Sequence, residues 1–170
     1  GTTFVPFVIQ GLEGASGTAT VTLSAQGFTS TTIAVTVTAS AIEILNLPTS
    51  ISAESADAVS WYVQVGLPSG NGSGLVEVQN VRAGSPGFVV TLTNSTAGVA
   101  QLGSDEPVVL GQTVTKPIQP GFYYTQAIPF GTQYGLVFDP LAPGTTTVTA
   151  TGPLNVITTS QAIRTIVITP

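Results

Sequence analysis

The chain contains a near copy of part of itself. Gly17-Thr-Ala-Thr-Val-Thr-Leu-Ser-Ala-Gln26 returns as Gly144-Thr-Thr-Thr-Val-Thr-Ala-Thr-Gly-Pro153, and subtracting the two starting positions gives a period of 127. Residues 7–14 lead into the first copy and 135–143 into the second. An alternating apolar stretch follows each, at 31–38 and 161–169. Self-similarity at a long fixed period means stacked modules. A chain of 170 residues has room for one ordinary sandwich and a fragment. The expected division is therefore the last strands of a partial module at 1–40, followed by a complete module at 41–170.

Within that frame the residues alternate with period two. Residues 19–24 and 32–38 alternate cleanly, with Val21 and Leu23 on one face and Ile33, Val35 and Val37 on another. Residues 4–9 read as a third strand of the opening segment. Val, Ile and Thr at period two mark half-buried antiparallel strands. Residues 39–41 form a short joint between modules. Further strands are expected at 42–47, 59–65, 75–81, 87–94, 99–102, 113–118 and 163–169. Pro117 cannot donate to a ladder, so 113–118 belongs at an edge or a strand end. Trp61 is the sole tryptophan and alternates with Val59, Val63 and Val65, which places it at the centre. Short strands separated by Gly and Pro predict an all-β, immunoglobulin-like sandwich with Greek-key connections.

Composition narrows the function classes. Hydrophobic residues make up 42% of the chain but charged residues only 6%, against about 25% in an average domain. The three cations, Arg82, Lys116 and Arg164, are scattered through a chain of net charge −5. Phosphate binding needs clustered Lys and Arg, so nucleic acid is not an expected partner. An anionic membrane surface is disfavoured for the same reason, and no apolar run is long enough to insert into a bilayer. Residues 1–20 lack the basic and apolar segments of a signal peptide. Few Lys and Arg leave few trypsin-like cleavage points, which suits an extracellular or cell-surface location.

The phrases Val8-Ile-Gln-Gly-Leu with Gly17-Thr-Ala-Thr-Val-Thr, Val90-Thr-Leu-Thr-Asn-Ser-Thr96, and Val137-Phe-Asp-Pro-Leu-Ala-Pro-Gly-Thr-Thr-Thr-Val-Thr149 resemble bacterial immunoglobulin-like (Big-type) tandem repeats of large extracellular or surface proteins. The resemblance is clearest at 5–40 and 87–170. It implies a non-enzymatic spacer, adhesin or filament role and supplies no catalytic residues. The chain departs from the family pattern in one respect, because 1–40 is not a whole module. Three strands with one apolar face have no opposing sheet within their own segment, and they expose a template for another chain. Either 1–40 packs onto 41–170, or another chain supplies the missing sheet, or the sequence is a piece of a longer array. The second arrangement links subunits head to tail by strand complementation into an open filament. The expected partners are copies of the chain or neighbouring repeats.

Histidine and cysteine are both absent. That removes the usual general base, the Ser-His and Cys-His nucleophile pairs, and soft-metal sites. Catalytic and cofactor-binding residues are accordingly none. Calcium needs only oxygen ligands; the candidates are Asp105 with Glu106, the only adjacent acidic pair, and Glu54 with Asp57. Their ordinary reading is solvated turns. An exposed tyrosine among Tyr62, Tyr123, Tyr124 and Tyr134 could bind glycan, which defines the alternative function, an adhesin-type module for glycan or calcium. Neighbours in a strand face opposite ways, so one of Trp61-Tyr62 and one of Tyr123-Tyr124 is expected inside. Lys116, the sole lysine, is a poor isopeptide donor because lysine is rarely buried without a paired charge. Asn71-Gly-Ser73 and Asn94-Ser-Thr96 match the N-glycosylation pattern as chance matches in a Ser- and Thr-rich chain.

Overall fold

Alternating Thr, Val and Ile residues produce strands between Gly17 and Thr169, which together hold about half of the chain. The computed structural model describes residues 4, 6–12, 15–85, 87–105, 107–127 and 134–170. The first elements are β1 (Gly17–Leu23), β2 (Thr31–Val37), β3 (Ala41–Leu45), β4 (Ser50–Ser52) and β5 (Tyr62–Pro68). They are followed by β6 (Leu75–Val78), β7 (Phe88–Asn94), β8 (Ala100–Asp105), β9 (Val108–Gly111) and β10 (Thr113–Ile118). The last are β11 (Leu136–Pro140), β12 (Gly144–Thr151), β13 (Ile157–Thr158) and β14 (Ile163–Thr169), with one 3-10 turn at Ser160–Ala162.

The protein is all-β, and its sheets are arranged as in a β-sandwich. A five-stranded sheet of order β10-β7-β12-β14-β4 forms one layer. The other contains a four-stranded sheet, β13-β3-β5-β6, and a three-stranded sheet, β11-β8-β9. Antiparallel bridges from Ala58 to Phe138 and from Gln64 to Tyr124 supplement this second layer. Most neighbours are antiparallel, but β13 runs parallel to β3 and β4 parallel to β14. β1 and β2 form a separate two-stranded sheet.

One core fills the space between the layers. Ile42 and Ile44 of β3, Val63 of β5, Leu92 of β7, Leu102 of β8, Phe138 of β11 and Ile166 of β14 all belong to it. Burying a Val, Leu, Ile or Phe side chain contributes about 1.5–3 kcal/mol relative to leaving it exposed. Trp61 is fully buried, as its alternation predicts, and its indole Nε1 donates to the Ala58 carbonyl at 3.1 Å. β10 lies at a sheet edge, as Pro117 requires, with Pro117 opposite Val89.

Two features of the sequence reading change. Residues 4 and 6–9 do not form the expected strand. Pro6 has no N–H to give a ladder. The period of 127 sets β11 against 9–13, and β11 is a strand because it pairs with β8; among the described residues β1 and β2 pair with each other and with no further strand. β4 and β9 went unread because three or four residues are too few to establish a period. Among the described residues no helix is long and apolar enough to cross a membrane.

Candidate interaction surface

The repeat provides an internal standard for judging the first hairpin. β1 pairs with β2 so that Gly17 faces Val37, Ala19 faces Val35 and Val21 faces Ile33. β12 pairs with β14 so that Gly144 faces Ile168, Thr146 faces Ile166 and Val148 faces Arg164. Superposing Gly17 on Gly144 makes Val35 equivalent to Ile166, Val37 to Ile168, Ile33 to Arg164 and Leu23 to Ala150. The two hairpins have the same register and the same inward face.

Their surroundings differ. β12 is flanked by β7 and β14 by β4, and the inward face meets the layer that contains β3. Val148, Ala150 and Ile166 are fully buried as a result. In the first hairpin Leu23 remains 41% exposed and Ile33 52% exposed, while Val21, Val35 and Val37 are half-buried. The paired glycines show the same contrast. A Cβ at Gly144 would lie 2.8 Å from Val99 Cγ2, whereas a Cβ at Gly17 would meet nothing within 4 Å. Gly144 allows close packing against Val99, in the turn just before β8; no equivalent neighbour lies within 4 Å of Gly17.

Only a short stretch of chain lies against the bare face. Gly11 approaches Val37 so closely that a Cβ there would sit 3.1 Å from Val37 Cγ1. A cleft of about 580 Å³ opens between this region and the sandwich, lined by Ile9, Leu12, Val35 and Val37 on one side and Val65, Leu67, Arg82 and Phe88 on the other. Its walls are mainly apolar, and its size is within the range of small-ligand clefts.

A second surface feature was not legible in the sequence. All four tyrosines gather with Phe122 on the side of β5 away from the core. Tyr62 lies 4.6 Å from Tyr134 and 5.8 Å from Tyr124 between ring centroids, and Tyr124 lies 5.0 Å from Tyr123 and 6.4 Å from Phe122. Burial raises the Tyr62 phenol above its ordinary value, helped by Tyr134, Tyr123, the Glu43 carboxylate and Tyr124. Glu43 is buried beneath the adjoining loop. It accepts hydrogen bonds from Gln64 Nε2 at 2.6 Å and from the Leu75 N–H at 3.0 Å. Trp61 is in the core as expected, but Tyr62 is half-buried rather than exposed, and Tyr123 and Tyr124 are both half-buried. For Tyr123 and Tyr124 the cause is local: the backbone of their segment joins β5 at an isolated bridge, and its burial does not alternate like that of a strand.

The calcium candidates go to separate places. Asp105 in β8 forms an ion pair with Lys116 in β10, joining the two layers. Lys116 is fully buried, and that burial has the paired charge it requires. Glu106 lies outside the described residues. Glu54 lies in the turn after β4, where its N–H donates to Ser52 Oγ. Asp57 is near enough to Asp139 that repulsion between them, after the larger effect of burial, raises the Asp139 carboxyl above its ordinary value. Among the described residues no three His, Cys, Asp or Glu side chains are grouped as metal ligands.

The two glycosylation matches also differ. Asn71 is exposed, and its Oδ1 accepts from Ser73 and Ser69, which holds the 69–74 loop. Asn94 is fully buried and donates to the carbonyls of Thr96 and Ala100. Asn94 is therefore a turn plug rather than an attachment point. Comparison with protein-family models, curated proteins and solved structures finds no match for the chain.

Proposed function

We propose that the chain is a non-enzymatic structural or adhesive repeat of an extracellular or cell-surface protein, with the character of the bacterial immunoglobulin-like repeats it resembles. In this reading 41–170 is a complete immunoglobulin-like Greek-key module, and 1–40 is the closing part of a neighbouring one. A single observation carries the reading: β1/β2 repeats the register and inward face of β12/β14, yet its apolar face and both its edges lack the sheets that seat the second copy. Open strand edges beside an apolar face favour pairing with another sheet. Repeats closed in this way join head to tail, and a filament follows. The partners are neighbouring repeats or further copies of the chain.

Sedimentation over a wide concentration range tests this, with the wild type run beside an Ile33→Asp/Val35→Asp variant. Association that grows with concentration and is lost in the variant, with fibres visible by electron microscopy, assigns the open face to further copies of the chain. A wild type that stays monomeric throughout contradicts self-assembly into a filament and leaves neighbouring repeats as the partners.

The tyrosine cluster favours a second reading, an adhesin-type binding module for glycan or calcium. Tyrosine offers a rigid apolar ring with a polar tip, a combination that suits a recognition surface. A ligand that binds the folded form raises its melting temperature. A thermal shift with a glycan panel, abolished by Tyr62→Ala, supports this reading, and a shift with calcium alone supports the calcium version. No shift with either removes it.

A further inference from the structure

We propose that β1/β2 is the closing hairpin for the front of a different repeat of this kind, and that Ala19, Leu23 and Ile33 keep it out of the seat that β12/β14 fills in this chain. The proposal rests on the structural-repeat reading and names the partner that reading requires.

Each copy of the chain carries two closing hairpins and one front, the β3–β11 part that seats β12/β14. If one copy's β1/β2 displaced another copy's β12/β14, one hairpin would be covered and another uncovered. Such exchange buries no additional apolar surface, so the hydrophobic effect does not drive it. Net burial requires a front whose own closing hairpin is elsewhere.

The side chains discriminate in the same direction. Thr146 Oγ1 donates to Asn94 Oδ1 and accepts from the Thr96 N–H at 3.2 Å, inside the turn that follows β7. Its equivalent in the first hairpin is Ala19, which would leave the buried Asn94 Oδ1 without that donor. Ala150 is fully buried directly opposite Leu92, which is itself fully buried. Its equivalent is Leu23, and a larger side chain in a close-packed site forces its neighbours apart. Arg164 Nη2 donates to the Ile44 carbonyl at 3.1 Å, a bond that Ile33 cannot make. Mismatches at three seats act against this chain's own front while the strand register is preserved, which is how specificity between similar partners is built.

The cognate front can therefore be described. A strand in the position of β7 pairs antiparallel with β1 so that Val21, Thr22 and Leu23 lie opposite the positions of Asn94, Thr93 and Leu92, as Val148, Thr149 and Ala150 do in the second copy. A strand in the position of β4 pairs parallel with β2 along Thr36, Val37 and Thr38, as Val167, Ile168 and Thr169 do. The residue beside Leu23 is smaller than leucine, the turn near Ala19 needs no hydroxyl, and the wall at Ile33 is apolar.

Two sets of variants in the full chain test this. In the first, Thr146→Ala/Ala150→Leu/Arg164→Ile gives β12/β14 the side chains of β1/β2. The melting temperature is expected to fall by about 10 °C or more, whereas a change within about 2 °C would overturn the discrimination. The second set leaves the core untouched. In a Thr22→Cys/Thr93→Cys chain refolded at high concentration, a disulfide from position 22 of one copy to position 93 of another, separated by mass mapping from 22–22 and 93–93 links, reports β1 seated beside β7; the chain has no native cysteine to compete. Adding Ala19→Thr/Leu23→Ala/Ile33→Arg is expected to raise the disulfide-linked fraction at least about 5-fold, which corresponds to roughly 1 kcal/mol of discrimination at 25 °C. Equal yields with and without the three changes would show that the native hairpin fits its own front and would sink the proposal. Amide exchange of β1/β2 in the unassembled chain tests the structural-repeat reading, whereas these variants test the choice of partner, so the two failures are distinguishable.

Discussion

The hairpins β1/β2 and β12/β14 share a register and a residue pattern, but only the second has a cover. In β12/β14 the Thr-Val alternation is locked between β7, β4 and the β3 layer, and Ile166 and Val148 are fully buried. In β1/β2 the same alternation leaves Ile33 and Leu23 facing solvent. Two strands can pair wherever the turn allows, but an isolated hairpin is marginal in water, and a third strand or a packed face is what stabilises it. Strand pattern thus determines the shape of the hairpin, and burial determines how much free energy holds it.

The largest predicted contrast follows from that difference. Ile166→Asp places a carboxylate in the sealed core and should cost about 4 kcal/mol or more. The equivalent Val35→Asp should cost under about 1 kcal/mol, since its site is still open to water. Urea unfolding of the two variants, followed by Trp61 fluorescence, measures both. Equal costs would mean that the first hairpin is covered after all.

A smaller effect comes from the pin between the layers that hold β12/β14, which β1/β2 lacks. Lys116→Met breaks the ion pair between the layers, with an expected loss of about 2–4 kcal/mol. The double variant Lys116→Met/Asp105→Leu should recover much of that loss, and the same urea titration reads it.

Polar plugging separates the hairpins by less. Thr146→Ala should destabilise by about 1–2 kcal/mol through the unpaired Asn94 and Thr96 groups, while Ala19→Thr in the open hairpin should be neutral within about 0.5 kcal/mol. The smallest expected change lies at the base of the seated hairpin, in β11. The folded state raises the Asp139 carboxyl, through burial and then Asp57, so this group's contribution to stability falls as pH rises from the ordinary carboxylate range through the raised value. Asp139→Asn should therefore increase the melting temperature slightly at pH 7. No gain is expected near pH 3, where both states are largely protonated.

Much of this contrast could be read from the sequence. The repeat, the alternation in β1, β2, β12 and β14, the edge position of β10 and the burial of Trp61 all follow from residue type and spacing. The short strands β4 and β9 were missed because their pairing is set by tertiary neighbours rather than by a local period. The tyrosine cluster was missed for a related reason: Tyr62, Tyr123, Tyr124 and Tyr134 come from three separate segments, and no spacing rule brings them together. Nothing in the spacing gives Lys116 a paired charge; the fold brings Asp105 to it from the other layer. Residues 4–9 have the composition of a strand, but composition cannot supply the partner that β8 provides to β11.

Native-state amide exchange at low concentration, with the chain unassembled, measures the difference between the hairpins most directly. The informative pair is the Val35 and Ile166 amides, which sit at equivalent positions. The Ile166 amide should exchange only through global unfolding, and the Val35 amide at least about 100-fold faster through local opening. If both amides are protected to the same degree, β1/β2 already has a seat within its own chain, and its role as an unfilled closing hairpin is contradicted.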